Sequence, residues 1–89
     1  MTGKVISNNR KSPCISYGDI NNDGYVTEND SKLVANYVSY PGNPLYVLSS
    51  EQKLRADVTA DKKVNIGDAL AIANYAAGYS TTFKVCSTR

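Results

Sequence analysis

The 89-residue sequence has no histidine and a single methionine, at position 1. Imidazole acid–base catalysis and histidine-bound zinc are therefore excluded. No nucleophile with a base partner is visible either, so nothing points to an enzyme. No apolar run approaches the about 18 residues that a membrane helix needs. The formal net charge of +2 is misleading. Lys4, Arg10 and Lys11 precede residue 14, and Lys84 and Arg89 follow residue 83. The segment between carries all eight acidic residues and sums to −3. Scattered end charges without interleaved aromatics make no footprint for nucleic acid. Eighty-nine residues make one small domain, which buries only about 60% of its unfolded surface. Such a chain needs a staple: a disulfide, a metal or a partner.

What is present is a duplication. Gly18–Tyr40 aligns with Ala56–Gly78 at an offset of 38 residues without a gap. Asp19/Asp57, Asp23/Asp61, Val26/Val64, Asp30/Asp68, Ala35/Ala73, Asn36/Asn74 and Tyr37/Tyr75 are identical. Each repeat is a turn-rich acidic loop followed by a helical pattern. The first helix is expected over 28–39, with Thr27 and Asp30 as a capping box and Pro41-Gly42 as the stop. The second is expected over 66–77, between Asn65 as cap and Gly78 as stop. Ser49–Arg55 reads as a short middle helix. Val26 and Val64 read as two short strands pairing between the loops. The expected fold is an all-α, three-helix module with pseudo-twofold symmetry. Residues 1–13 read as a disordered linker and 14–89 as the domain: repeat one 18–40, linker helix 41–55, repeat two 56–78 and a clasp tail 79–89.

The loops carry metal-ligand spacing. Asp19, Asn21, Asp23, Tyr25, Thr27 and Asp30 stand at positions 1, 3, 5, 7, 9 and 12 of a twelve-residue loop. Calcium is a hard cation that takes six to eight oxygens, and alternate residues of a tight loop can aim short carboxylates and amides at it. Position 7 contributes a main-chain carbonyl, so Tyr25 and Lys63 need no particular side chain. The carboxylate at position 12 ties the loop to the exiting helix. Gly24 permits the sharp turn. In the second loop the set is Asp57, Thr59, Asp61, Lys63, Asn65 and Asp68. Lys62 replaces the glycine there, and a left-handed conformation costs a residue with Cβ roughly 1–2 kcal/mol. Two calcium ions are expected, the second bound more weakly.

No amphipathic helix enters loop one. Together with aspartate at position 12 and the paired segments GDINNDGYVTENDSKLVANYV and ADVTADKKVNIGDALAIANYA, this resembles the dockerin family over about residues 15–80. The resemblance implies a calcium-dependent module of a secreted bacterial plant-cell-wall protein, monomeric when unbound. It implies binding to a cohesin module and attachment to an extracellular cellulosome. The family often carries matched residues at loop positions 10 and 11. Here they are Glu28-Asn29 and Ile66-Gly67, which suggests a divergent type I-like subtype. The other candidate class is a calcium sensor or buffer without a cohesin partner. The lack of a Met-rich groove argues against it.

The second long helix is apolar nearly all round. Ala69, Ile72 and Ala76 suit the core. Ile66, Leu70, Ala73 and Ala77 form a second stripe, whose counterpart in repeat one, Glu28, Lys32, Ala35 and Ser39, is mostly polar. The expected partner face is this stripe with Gly67, Asn74 and Asn36, used in one dominant orientation. The competing reading packs Leu70 against the middle helix or the tail around Phe83. Cys14 and Cys86 bracket the module and suggest a disulfide. Free thiols or pairing to another chain are the alternatives. A closed span of 72 residues would stabilise by roughly 4 kcal/mol. Ile15, Tyr17, Phe83 and Val85 are expected beside that bridge.

Overall fold

The computed structural model describes residues 10–87. The expectations for residues 1–9 and 88–89 fall outside this range. Three helices follow in order: α1, Glu28–Ser39; α2, Ser50–Ala56; and α3, Ile66–Ala77, with a single 3₁₀ turn at Lys84–Ser87. Each helix begins where its side chains satisfy the orphan amides of the first turn. Thr27, Ser49 and Asn65 are the N-caps, and each pairs with the third helical residue, Asp30, Gln52 or Asp68, in a reciprocal capping box. Helix α3 stops at Gly78, whose φ of 89° is left-handed. Helix α1 stops at Tyr40, just before Pro41.

Helices α1 and α3 make the main packing contact. Glu28 at the start of α1 lies beside Ala77 at the end of α3, so the two run antiparallel. Ser31 on α1 donates a hydrogen bond to the Ala69 carbonyl on α3 at 2.9 Å. Between them lies the core: Ile20 and Val58 from the loops, Val34 and Ile72 from the helices, and Val26, Ala56, Ala69, Tyr75 and Phe83. Ile20/Val58 and Val34/Ile72 are pairs 38 apart, so the duplication is also a symmetry of the core. Full burial of each large aliphatic contributes about 1.5–3 kcal/mol.

The ends of the chain close the module. Cys14 and Cys86 are joined by a disulfide, with Cα atoms 5.8 Å apart. Phe83 is buried against Tyr75, ring centroids 4.9 Å apart. Val85 donates its amide to the Val58 carbonyl at 3.0 Å. Ile15, expected beside the bridge, is instead exposed, with a left-handed φ of 53°.

Two further expectations are corrected. Val26 and Val64 do not pair. Because α1 and α3 run antiparallel, their loops lie on opposite sides of the Ser31–Ala69 contact and the two valines are not brought into ladder register. Val26 bridges Arg10 instead, donating to its carbonyl at 2.6 Å. Residues 10–13 are therefore not all linker. The Arg10 guanidinium lies 4.6 Å over the Tyr75 ring, and the Tyr75 hydroxyl donates to the Lys11 carbonyl. Arg10 also reaches Gly78, supplying positive charge to a helix end whose last turn has no basic residue.

Gly18 is the tightest point of this closure. Its φ is +87°, and a Cβ there would lie 2.7 Å from two ring carbons of Phe83. Gly24 has a similar φ of +93° but open space around the missing Cβ. Gly18→Ala should therefore combine strain with overpacking and cost about 2–4 kcal/mol. Gly24→Ala should cost only the strain, about 1–2 kcal/mol. Denaturant unfolding of both variants in EDTA checks the difference, and equal losses would refute the Phe83 contact.

Candidate metal centres

The backbone of each loop is wound around its first and last aspartates. In loop one, Asp19 accepts the amides of Asp23 at 3.1 Å and Gly24 at 2.9 Å. Asn21 and Asp23 accept the amides of Asp23 and Tyr25. Asp30, fully buried, accepts Ile20 and Asn21 on one oxygen, at 2.8 and 3.1 Å, and Thr27 on the other at 2.8 Å. The second loop repeats the pattern. Asp57 accepts Asp61 and Lys62, Asp61 accepts Lys63, and buried Asp68 accepts Thr59 and Asn65. The Thr59 hydroxyl also donates to Asp68, at 2.9 Å. Left-handed residues recur at equivalent places: Asn22 and Gly24 in one loop, Ala60 and Lys62 in the other. Lys62, with a φ of 66°, holds in loop two the strained turn that glycine makes in loop one.

The winding gathers carboxylates. Asp19, Asp23 and Asp30 present oxygens all within 4.8 Å of one another, as do Asp57, Asp61 and Asp68. Like charges this close in a half-buried site repel, and no basic side chain pairs with them among the described residues. A hard divalent cation fits both the donor set and the missing charge. Asn21, Thr27, Thr59 and Asn65 stand in the same loops with further oxygens, and Tyr25 and Lys63 are exposed at position 7. The second cluster is the more open: Asp57 is half-buried where Asp19 is buried.

Arg55 is a residue that sequence reasoning missed. From the end of α2 it donates to the carbonyls of Asp19 and Ile20 at 2.9 and 3.2 Å, while its own carbonyl accepts the Gly18 amide. Gln52 adds a bond to the Ile20 carbonyl. Helix α2 thus clamps the entry of loop one. No motif or spacing marks Arg55, because its partners are main-chain atoms 35 and 36 residues away.

Helix α3 carries its apolar stripe outward. Ile66 is 51% and Leu70 58% exposed, so Leu70 is not packed under α2 or the tail. Ala77, Gly67 and Asn74 are exposed, Ala73 and Asn36 are half-buried. Ala69, Ile72 and Ala76 face the core, as expected.

A scan against family models matches residues 17–77 to the dockerin type I domain. The chain belongs to the dockerin family. Dockerins are non-catalytic interaction modules of a calcium-binding family, and the two carboxylate clusters are where such a metal fits. Two similar solved structures come from complexes of the third cohesin of ScaC with the ScaB dockerin of Acetivibrio cellulolyticus, described as displaying a type I interaction. One carries an Ile-Asn to Ser-Ile change in the N-terminal helix of its dockerin. It is 29% identical, with a TM-score of 0.70 over 81% of this chain and 96% of that one. The other carries the same change in the C-terminal helix. It is 30% identical, with a TM-score of 0.67 over 78% and 92%. No protein in the curated set matches.

The ion-free dockerin has a defined electrostatic signature. Burial raises the Asp30 carboxyl above its ordinary value of 3.8, against the lowering effect of its three amide bonds. Burial likewise raises Asp57, whereas the Lys63 amide lowers exposed Asp61. A raised acid binds its proton more tightly in the fold than in the unfolded chain. Its contribution therefore falls as pH rises through the folded value. Carboxylate NMR titration in EDTA should place Asp30 above 3.8 and Asp61 below it. Added calcium should pull Asp30 down, because cation and proton compete for one site. An Asp30 midpoint unmoved by calcium would exclude it as a ligand.

Proposed function

We propose that this dockerin is a calcium-dependent adaptor that binds a cohesin module and anchors its parent protein in an extracellular bacterial cellulosome. The observation that carries the reading is the outward stripe of α3, apolar in a helix whose pseudo-symmetric partner is polar there. Ile66 and Leu70 stand one turn apart on one face with Ala73 and Ala77 beyond them, and a contiguous exposed apolar patch of this kind marks an interaction surface. The likeness to dockerins seen in complex with a cohesin supplies the partner class.

Each loop holds one calcium ion. Loop one uses Asp19, Asn21, Asp23, Thr27, Asp30 and the Tyr25 carbonyl. Loop two uses Asp57, Thr59, Asp61, Asn65, Asp68 and the Lys63 carbonyl. The ions join each loop to its exiting helix and so fix α1 and α3 as a rigid pair. The partner then meets Ile66, Gly67, Leu70, Ala73, Asn74 and Ala77, with Asn36 at the edge. The opposite orientation would set Glu28 and Lys32 where Ile66 and Leu70 now stand, burying charge without compensation. One orientation led by α3 follows.

Calorimetry on the single-loop variants Asp19→Ala and Asp57→Ala should show tighter binding by loop one. Lys62→Gly, which removes about 1 kcal/mol of strain and a nearby positive charge, should tighten loop two by roughly fivefold. A second loop that outbinds the first would reverse the ranking.

The partner reading is tested by surface plasmon resonance against a panel of purified type I cohesins. Binding should require calcium and vanish in EDTA. Leu70→Asp and Ile66→Asp should each weaken it by at least about tenfold, with helicity retained, while Lys32→Ala changes little. Equal losses at Lys32 and Leu70 would mean two orientations. Undiminished binding by folded Leu70→Asp would discard the α3 face.

A further inference from the structure

The symmetry between the repeats fails at one further place. On repeat one, the N-terminal segment bridges Val26. The Arg10 carbonyl accepts the Val26 amide at 2.6 Å, its guanidinium covers the Tyr75 ring, and the Lys11 carbonyl accepts the Tyr75 hydroxyl. The counterparts on repeat two, 38 residues away, are Val64 and Tyr37. There the Lys53 ammonium lies 5.5 Å from the Tyr37 ring centroid, where Arg10 would stand by symmetry. Only the cation is reproduced. Among the described residues, the Val64 amide and the Tyr37 hydroxyl have no hydrogen-bond partner and no segment bridges the valine.

A groove of about 700 Å³ is found there instead, lined by Tyr17, Tyr37, Leu54, Val64, Lys53 and Lys62 among others. Leu54 is 69% exposed on its rim. Lys53 and Lys62 make no ion pair among the described residues. The one acid in the groove, Asp57, belongs to the carboxylate cluster of loop two. The groove is therefore apolar at its floor, cationic at its edge and flanked by an unused main-chain donor. None of the outward residues of α3 lines it.

We propose that this groove docks an extended acidic peptide segment of a partner protein, in the manner that Arg10 and Lys11 lie against Val26 and Tyr75 in repeat one. A main-chain carbonyl of the segment accepts the Val64 amide and a second accepts the Tyr37 hydroxyl. Strand-like addition of this kind draws affinity from the backbone and selectivity from neighbouring side chains. Here the selective element is charge: a carboxylate on the segment meets Lys53 and Lys62. The site stands apart from the cohesin-binding reading and does not depend on it.

The test uses the calcium-loaded protein and two synthetic peptides. One copies residues 9–13, Ac-Asn-Arg-Lys-Ser-Pro-NH2. The other replaces its basic pair, Ac-Asn-Glu-Val-Ser-Pro-NH2. Titration of ¹⁵N-labelled protein should show the acidic peptide binding with Kd of about 1 mM or tighter, and the basic one at least about tenfold more weakly. Shifted amides should centre on Val64, Leu54 and Ala60. Lys53→Glu, an exposed change on α2, should reverse the preference, and Leu54→Asp should weaken the acidic peptide by about fivefold or more. No shift at 5-fold the expected Kd, equal binding of the two peptides, or shifts confined to the α3 stripe would each overturn the proposal. So would peptide-independent, concentration-dependent loss of the groove resonances, which would assign the surface to a second copy.

Discussion

Everything in this module hangs on the aspartate at the twelfth position of each loop. Asp30 and Asp68 are fully buried carboxylates, an expensive placement for any acid. Each is retained because it does three jobs at once. One oxygen caps the following helix through the amide of Thr27 or Asn65. The other ties down the start of the loop through Ile20 and Asn21, or through Thr59. Both point into a cluster of two further carboxylates. Remove the acid and the loop loses its closure, the helix its cap and the carboxylate cluster its most buried member together. Loop closure, helix capping and the carboxylate cluster are therefore one cooperative unit per repeat.

That coupling explains why two unequal loops suffice. Loop one has glycine at the left-handed turn, a buried first aspartate, and a clamp from Arg55 and Gln52. Loop two has a strained lysine and a more open first aspartate. It is reinforced elsewhere: α2 ends directly against Asp57, and the tail bonds Val85 to Val58. The disulfide holds that tail to the lead-in of loop one, so the two loops share one closure.

Local order was readable because each start and stop signal is a hydrogen bond between near neighbours. Both long helices begin and end where their caps predict, and the position-12 acids are visible from spacing alone. What could not be read is the closure by remote segments. Arg10 and Arg55 act on a ring face or main-chain carbonyls more than thirty residues away, Phe83 packs on Gly18 from the far end of the chain, and such partners leave no periodic trace. The paired valines misled for a related reason. Their identity follows from the duplication, but antiparallel helices carry the two loops to opposite ends. The outward stripe of α3 was readable as a pattern, and its exposure needed the fold: only the positions of α1, α2 and the tail decide which of two apolar faces is covered.

The covering elements also decide what surface is left over. Helix α3 must be apolar on one face to hold α1, and nothing in that packing requires the second face to match. In repeat one the same positions are Glu28, Lys32 and Ser39, compatible with an identical core contact. Ile66 and Leu70, the large residues of the stripe, therefore stand outside the packing of the three helices, and burying them needs something from outside. The staples make this tolerable. With the ends locked by a disulfide and each loop closed around an aspartate, the fold does not need Ile66 or Leu70 for stability. A helix freed from its structural duty on one side is where a duplicated module can afford to become asymmetric.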